Sequence, residues 1–234
     1  MARAAAGSCR GWVLHQGEAE GHLVWTLQAY RTGRIRLAWR GSVGHGGIMA
    51  SQRVVGYDGM WALPEDDPRV SGSPIGELAT IREYLSNYRR TLEMKCDGLS
   101  PQQLATRSVP PSTLSLLGLV RHMAQVEHHW FQRSLQGQHD APRLYWSADN
   151  HDLDFDGAVA DPAVVDDGFR TWKAQIMAAD QWLDGLTDLD AMVVLVAGGE
   201  ASVRDILIHM IEEYARHCGH ADLLRECIDG RTGQ

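Results

Sequence analysis

From residue 76 onward, apolar positions recur at close to the helical period. In "GELATIREYLSNYRRTLEMKC", Leu78, Ile81, Leu85, Tyr88, Leu92 and Met94 fall about 3.6 residues apart, which predicts an amphipathic helix. "GLSPQQLATRSVPPS" breaks the pattern with three prolines, and Ser112 stands where it can cap a second helix. "TLSLLGLVRHMAQVEHHWFQRSLQG" carries that helix to Gly137, a residue suited to a helix stop. A third helix is predicted for "PAVVDDGFRTWKAQIMAADQWLDGL", with Asp161 as N-cap and Pro162 at the first helical position. "TDLDAMVVLVAGGEAS" is a connector with room for a short extended piece. Ser202 caps the last helix, Asp205 takes the acidic position of a capping box, and Asp229-Gly230 ends it.

Four amphipathic helices with a long polar connection over 138–160 predict an all-α fold, a four-helix bundle with a long crossover between helices 2 and 3. A connection of that length inside a compact domain is usually either functional or disordered. Its acidic run "DNHDLDFD" lacks the central Gly and terminal Glu of a calcium-binding EF-hand loop.

The pattern differs upstream. Residues 1–57 are glycine-rich and carry seven arginines against two glutamates, a net +5, which leaves −13 for the rest of a chain whose total is −8. They are expected to form a weakly ordered N-terminal extension, with a short hairpin about Thr32-Gly33 the one element indicated. A true start at Met49 or Met60 would make part of the segment a mispredicted extension. Residues 58–234 are expected to form the bundle domain.

Charge and cysteine usage narrow the partners. A net charge of −8 argues against nonspecific nucleic-acid binding, which rests on clustered Lys and Arg. No run of 18 apolar residues predicts a membrane span. Cys9, Cys96, Cys218 and Cys227 form neither a CxxC pair nor a dense framework, and no apolar run of signal-peptide length opens the chain. A reducing cytoplasm is the expected location.

The candidate chemistry lies on two helices. The last offers His209, Glu213 and His217 at successive spacings of four, and then His220; the second offers His122, Glu127, His128 and His129. Residues i and i+4 lie one above the other on a helix, so Glu213 and His217 suit two ligands of one ion or an ordinary solvated face. His122 sits among Leu119, Val120, Met123 and Val126, and Glu213 and His217 lie near the stripe Ile206, Met210, Tyr214, Cys218 and Ala221. Bundle metal sites are built from inward-facing ligands on facing helices, whereas a single histidine on an apolar face is more often a satisfied core residue. If the three share an ion, their ligating atoms should lie within about 4 Å of one another. His128 and His129 read as boundary or surface residues beside Trp130. His209 reads as a ligand, a partner orienting Glu213, or a core residue. Trp130, Tyr145 and Trp146 read first as packing, although Tyr145-Trp146 falls in the long connection and is a candidate for a substrate-pocket mouth. Cys218 reads as a small core hydrophobe.

Three segments, "VPPSTLSLLGLVRHMAQVEHHWF", "LYWSADN" and "HMIEEYARHCGHADLLRECIDGRTG", occur in the order found in the DinB-like superfamily. They resemble most its branch of actinobacterial-type proteins, some called mini-circle proteins. The resemblance runs from about Pro74 to Gly233. It implies a four-helix bundle holding a divalent metal through a His of the second helix and a pair four residues apart in the last. Carried onto this sequence, His122 takes the first position and His217, before Cys218-Gly219, the last. Glu213 then stands where the family commonly has His, an arrangement similar to that of the mycothiol-dependent maleylpyruvate isomerases.

The resemblance further implies a metal- and thiol-dependent S-transferase, in which a low-molecular-weight, mycothiol-like thiol is conjugated to an electrophile in detoxification or stress. Zinc suits two imidazoles and a carboxylate, and nickel and iron fit as well. The implied partners are a small-molecule thiol and an electrophile, with the chain a monomer or homodimer. Two other readings stay open. One is a metal-dependent hydrolase, with Glu212 or His209 handling the proton. The other is a non-catalytic metal- or ligand-binding bundle.

Overall fold

The computed structural model describes residues 59–69 and 72–233 in full and, before them, the backbone of 12–19, 22–29 and 34–35. The chain divides into two units, Met1–Met49 and Ala50–Gln234. The first contains β1 (Trp12–Ala19), β2 (His22–Ala29) and β3 (Arg34–Ile35), an antiparallel sheet in the order β1-β2-β3. The hairpin expected about Thr32-Gly33 is present as the pairing of Leu27 with Ile35 and Gln28 with Arg34. The longer ladder, from Trp12↔Ala29 to Ala19↔His22, occupies residues expected to be weakly ordered. "WVL" and "LVWTL" supply the β-branched and aromatic residues that favour such pairing.

The second unit is mostly helical. Its elements are α1 (Glu77–Cys96), α2 (Pro101–Leu104), α3 (Leu116–Glu127), α4 (Leu153–Asp156), α5 (Pro162–Asp184), β4 (Met192–Val194), β5 (Glu200–Ser202) and α6 (Val203–Asp229). Local sequence chemistry sets most boundaries. The Asp161 side chain accepts from the Ala163 N–H at 2.8 Å, with Pro162 opening α5. Ser202 Oγ accepts from the Asp205 N–H at 3.1 Å and opens α6. Gly230, in the left-handed region at φ 78°, closes α6 through its N–H to the Glu226 carbonyl. The extended piece expected before α6 is the β4–β5 hairpin.

Two features of the second helix differ from expectation. Its cap is Ser115, whose Oγ accepts from the Gly118 N–H at 3.1 Å, whereas Ser112 Oγ accepts from the Leu114 N–H in a turn. The prolines hold the chain off the helix until three residues later than expected. Beyond Glu127 the helix widens into a π-helical segment, His128–Leu135, before the stop at Gly137 (φ 67°). His128, expected at the boundary or surface, is buried there. Its Nε2–H donates to the Pro142 carbonyl at 2.9 Å, so the long connection satisfies it.

α1 lies against α6, α3 against α5, and α3 also meets α6 and α1. Their apolar faces share one core that includes Leu85, Leu92, Leu119, Met123, Trp172, Met210 and Leu224. Inside it, residues from all four long helices join a polar chain. Trp172 Nε1–H donates to Tyr214 Oη at 2.9 Å, and the Tyr214 hydroxyl donates to Glu127 Oε1 at 2.7 Å. Arg89 grips both Glu127 oxygens, at 2.7 and 2.9 Å, and also reaches Asp180 at 2.7 Å. Glu127, counted from sequence among possible ligands, is fully buried in this chain and is structural. Burial opposes the Arg89 charge, but Glu127, Tyr214 and Asp180 together hold its pKa above the ordinary arginine value.

Candidate metal centre

α3 and α6 bring His122, Glu213 and His217 together. One ligating atom from each lies within 4.8 Å of the others. The imidazole rings of His122 and His217 meet edge-on at 4.8 Å between centroids. Glu213 divides its oxygens: Oε2 is 3.4 Å from His217 Nε2, and Oε1 is 3.4 Å from His209 Nε2. The spread exceeds the 4 Å expected of donors around one ion, and Glu213 is also drawn outward by Arg216 at 3.8 Å.

Each histidine is oriented by a partner on its other nitrogen. His122 Nδ1 is 2.8 Å from Asp154 Oδ2, so Nδ1 carries the proton that the carboxylate accepts and Nε2 is left as a lone-pair donor. His217 Nδ1 is 3.3 Å from His220 Nδ1, and its Nε2 faces Glu213. Burial first, then the positive fields of His122, His220 and Arg216, push the His217 pKa down to about 3. The ring is therefore neutral near pH 7, the form that ligates metals.

The sequence candidates fall on different sides of this cluster. His209 bridges Glu213 and Glu212, the latter at 3.3 Å, and its ring meets Trp130 edge-on at 4.8 Å. His209, Glu212 and Trp130 line a cleft of about 240 Å³, with Leu195, Ile206 and Ile208 supplying apolar walls. Tyr145 and Trp146 do not line this cleft. The Tyr145 hydroxyl donates to Asp167 Oδ2 at 2.8 Å, and Arg121 lies 3.9 Å over its ring. Trp146 stacks on His151 and under Arg143. Cys218 is a buried thiol donating to the Tyr88 carbonyl, and burial pushes it up to about 12, so it makes a poor nucleophile. Sequence reasoning missed Asp154 and the cleft role of Trp130. The signal available for Asp154 was a carboxylate-rich run in a connection too long to be idle.

Burial also gives the helical unit a pH signature. His129 is held down to about 4, by burial first and then by Arg133, Arg143, His128 and His209, and His217 is held near 3. Both rings take up protons near 6.5 when unfolded. Between those limits the unfolded chain binds more protons, so the stability these rings contribute is complete above about pH 6.5 and falls as the pH drops. The melting temperature of metal-free protein should decline between about pH 6.5 and 4, and the decline should be shallower in His129→Gln. Parallel profiles for the two proteins would contradict this assignment.

A mostly helical chain that presents two imidazoles and a carboxylate from two helices to one point defines a class: helical proteins with a three-donor cluster of the kind that holds a divalent ion. Within that class, the chain belongs to the mycothiol-S-transferase family, whose model matches residues 80–230. No curated protein matches it. A solved structure with a similar fold is that of a conserved protein from Enterococcus faecalis, at TM-score 0.50 and 16% identity, covering 68% of this chain and 99% of that one. Among the described residues no helix is long and apolar enough to cross a membrane.

Proposed function

We propose that this chain is a divalent-metal-dependent transferase that conjugates a mycothiol-like, low-molecular-weight thiol to a small electrophile. The observation that carries the reading is the convergence of His122, Glu213 and His217 in a chain of this family. The donor set fits a divalent ion: both histidines have a partner on Nδ1, and Glu213 directs one oxygen at His217 Nε2. Donors of one tetrahedral ion lie roughly 3.5 Å apart, so ion binding would draw the most separated pair together by about 1 Å. Zinc suits these ligands best, with nickel and iron also compatible.

An ion held there supplies the positive charge that lowers a thiol pKa towards neutrality. The chain's own residues do the rest. His209, one turn from Glu213, holds that carboxylate by one nitrogen and Glu212 by the other, a route by which the thiol proton can reach solvent. The cleft beside Trp130 receives the electrophile. The thiolate sulfur forms a bond to the electrophilic carbon as the leaving group departs with its electron pair. Burial holds Cys96 and Cys218 of the helical core near 12, so neither supplies the nucleophile, and the cosubstrate's sulfur takes that role.

This reading places the activity in residues 58–234 as a four-helix bundle of α1, α3, α5 and α6 with its crossover between α3 and α5. A cytoplasmic setting, where such thiols are kept reduced, accords with it.

The test is purified protein with thiol and a chromogenic electrophile, following thiol loss and conjugate together. The reading predicts conjugate formed one-for-one with thiol consumed, abolished by a chelator and restored by zinc. The rival hydrolase would turn over without thiol. A binding module would do neither, and either result would overturn the proposal.

A further inference from the structure

We propose that α4, the short helix inside the long connection, is a positioning element for His122, and that it acts through the buried carboxylate of Asp154. The inference rests on the metal reading above and concerns what holds that ligand in place.

Asp154 is only 4% exposed. A buried carboxylate is costly unless hydrogen-bonded or paired. Its Oδ2 takes the His122 Nδ1–H at 2.8 Å, and its Oδ1 takes the Phe155 N–H at 3.0 Å. Among the described residues no Arg or Lys pairs with it. Arg121 is the nearest candidate, yet it donates to the backbone carbonyls of Asp154 and Leu153, both at 2.9 Å. The Arg121 charge acts on the carboxylate through space, and the side chain that the carboxylate binds directly is the His122 imidazole.

The rest of the local structure seats α4. Phe155 stacks on the His122 ring at 4.9 Å. Gly118 in α3 makes room for it, since a Cβ there would come within 3.0 Å of the Phe155 ring. A Cβ at Gly157, just after α4, would lie 2.7 Å from Arg121 Nη2. Tyr145 in turn lies against Arg121. Adjacent residues of α3 therefore divide the work: Arg121 holds the α4 backbone, and His122 receives the benefit. A carboxylate on the far nitrogen fixes the ring's tautomer and raises the basicity of Nε2. His217 has an imidazole, His220, at 3.3 Å from Nδ1, where His122 has a carboxylate.

The experiment uses the full chain and two readouts: long-range ¹⁵N NMR of the histidine tautomers in metal-free protein, and zinc affinity by chelator competition. In the wild type His122 should be the Nδ1–H tautomer. Asp154→Ala should give a mixed tautomer and weaken zinc binding by about 10–100-fold. Asp154→Asn keeps an acceptor oxygen without the charge. It should keep the tautomer and weaken zinc less than alanine does. A merely structural role would lower the melting temperature without moving the tautomer. An Nδ1–H tautomer in Asp154→Ala, with zinc affinity unchanged, overturns the inference. If Asp154→Ala does not fold, Asp154→Asn with wild-type zinc affinity overturns it instead. A wild type that binds no zinc contradicts the metal reading, and the tautomers then decide the role of Asp154 separately.

Discussion

His217→Ala is expected to leave the purified protein without stoichiometric metal, its zinc affinity down by at least about 100-fold, beyond the range seen for residues that only support a ligand. The reason is geometric. The cluster has three donors, two of them on α6, and His217 is the one that touches both others: its ring meets His122, and Nε2 faces Glu213. Without it, His122 and Glu213 face each other across the space the ring had filled. The loss should be specific. His217 lies at the core's edge, while Tyr214, Cys218 and Ala221 keep α6 packed, so the metal-free variant should remain folded by circular dichroism. Metal content after gel filtration, with a competition titration, is the measurement. A variant that retains full metal would remove His217 from the site.

The second large effect concerns the fold. Glu127→Ala should destabilise the helical unit by about 3–5 kcal/mol, the cost of leaving the other member of a buried ion pair uncompensated. Arg89 would keep only Asp180, which is half exposed, and the Tyr214 hydroxyl would lose its acceptor. All four long helices meet through this chain, so the loss should appear as one cooperative shift in urea unfolding. Glu127→Gln, which keeps the volume and one acceptor, should cost less. A loss under about 1 kcal/mol for the alanine variant would mean the chain is not the junction described, because an effect that small is what an exposed ion pair gives.

What could be read in advance was what local chemistry determines. Asp161, Ser202 and Gly230 act on the backbone within a few residues of themselves, and each cap lies where the sequence placed it. The periodic apolar positions of α1 and α6 face the core because a helix repeats its own geometry. Glu127 shows the limit. As a glutamate beside two histidines it looked like a ligand, and only Arg89, 38 residues away, makes it a core anchor. Asp154 is the reverse case. It sat in an irregular acidic stretch, and its meaning depends on a histidine 32 residues upstream. His128 was misjudged because the widened π turn and the Pro142 carbonyl, neither marked in the sequence, bury it. At the site, His122, Glu213 and His217 were legible as types and spacings. Trp130 was not, because its place on the cleft depends on how the π segment meets α6.

The most direct test of the whole account is a reconstitution. Metal-free protein is titrated with zinc, and the initial rate of thiol conjugation is followed at each step. The account predicts no rate without metal, a rise in proportion to zinc bound, saturation at one ion per chain, and no rise in His217→Ala. Conjugation at full rate by metal-free protein, or an equal rise in His217→Ala, would contradict it.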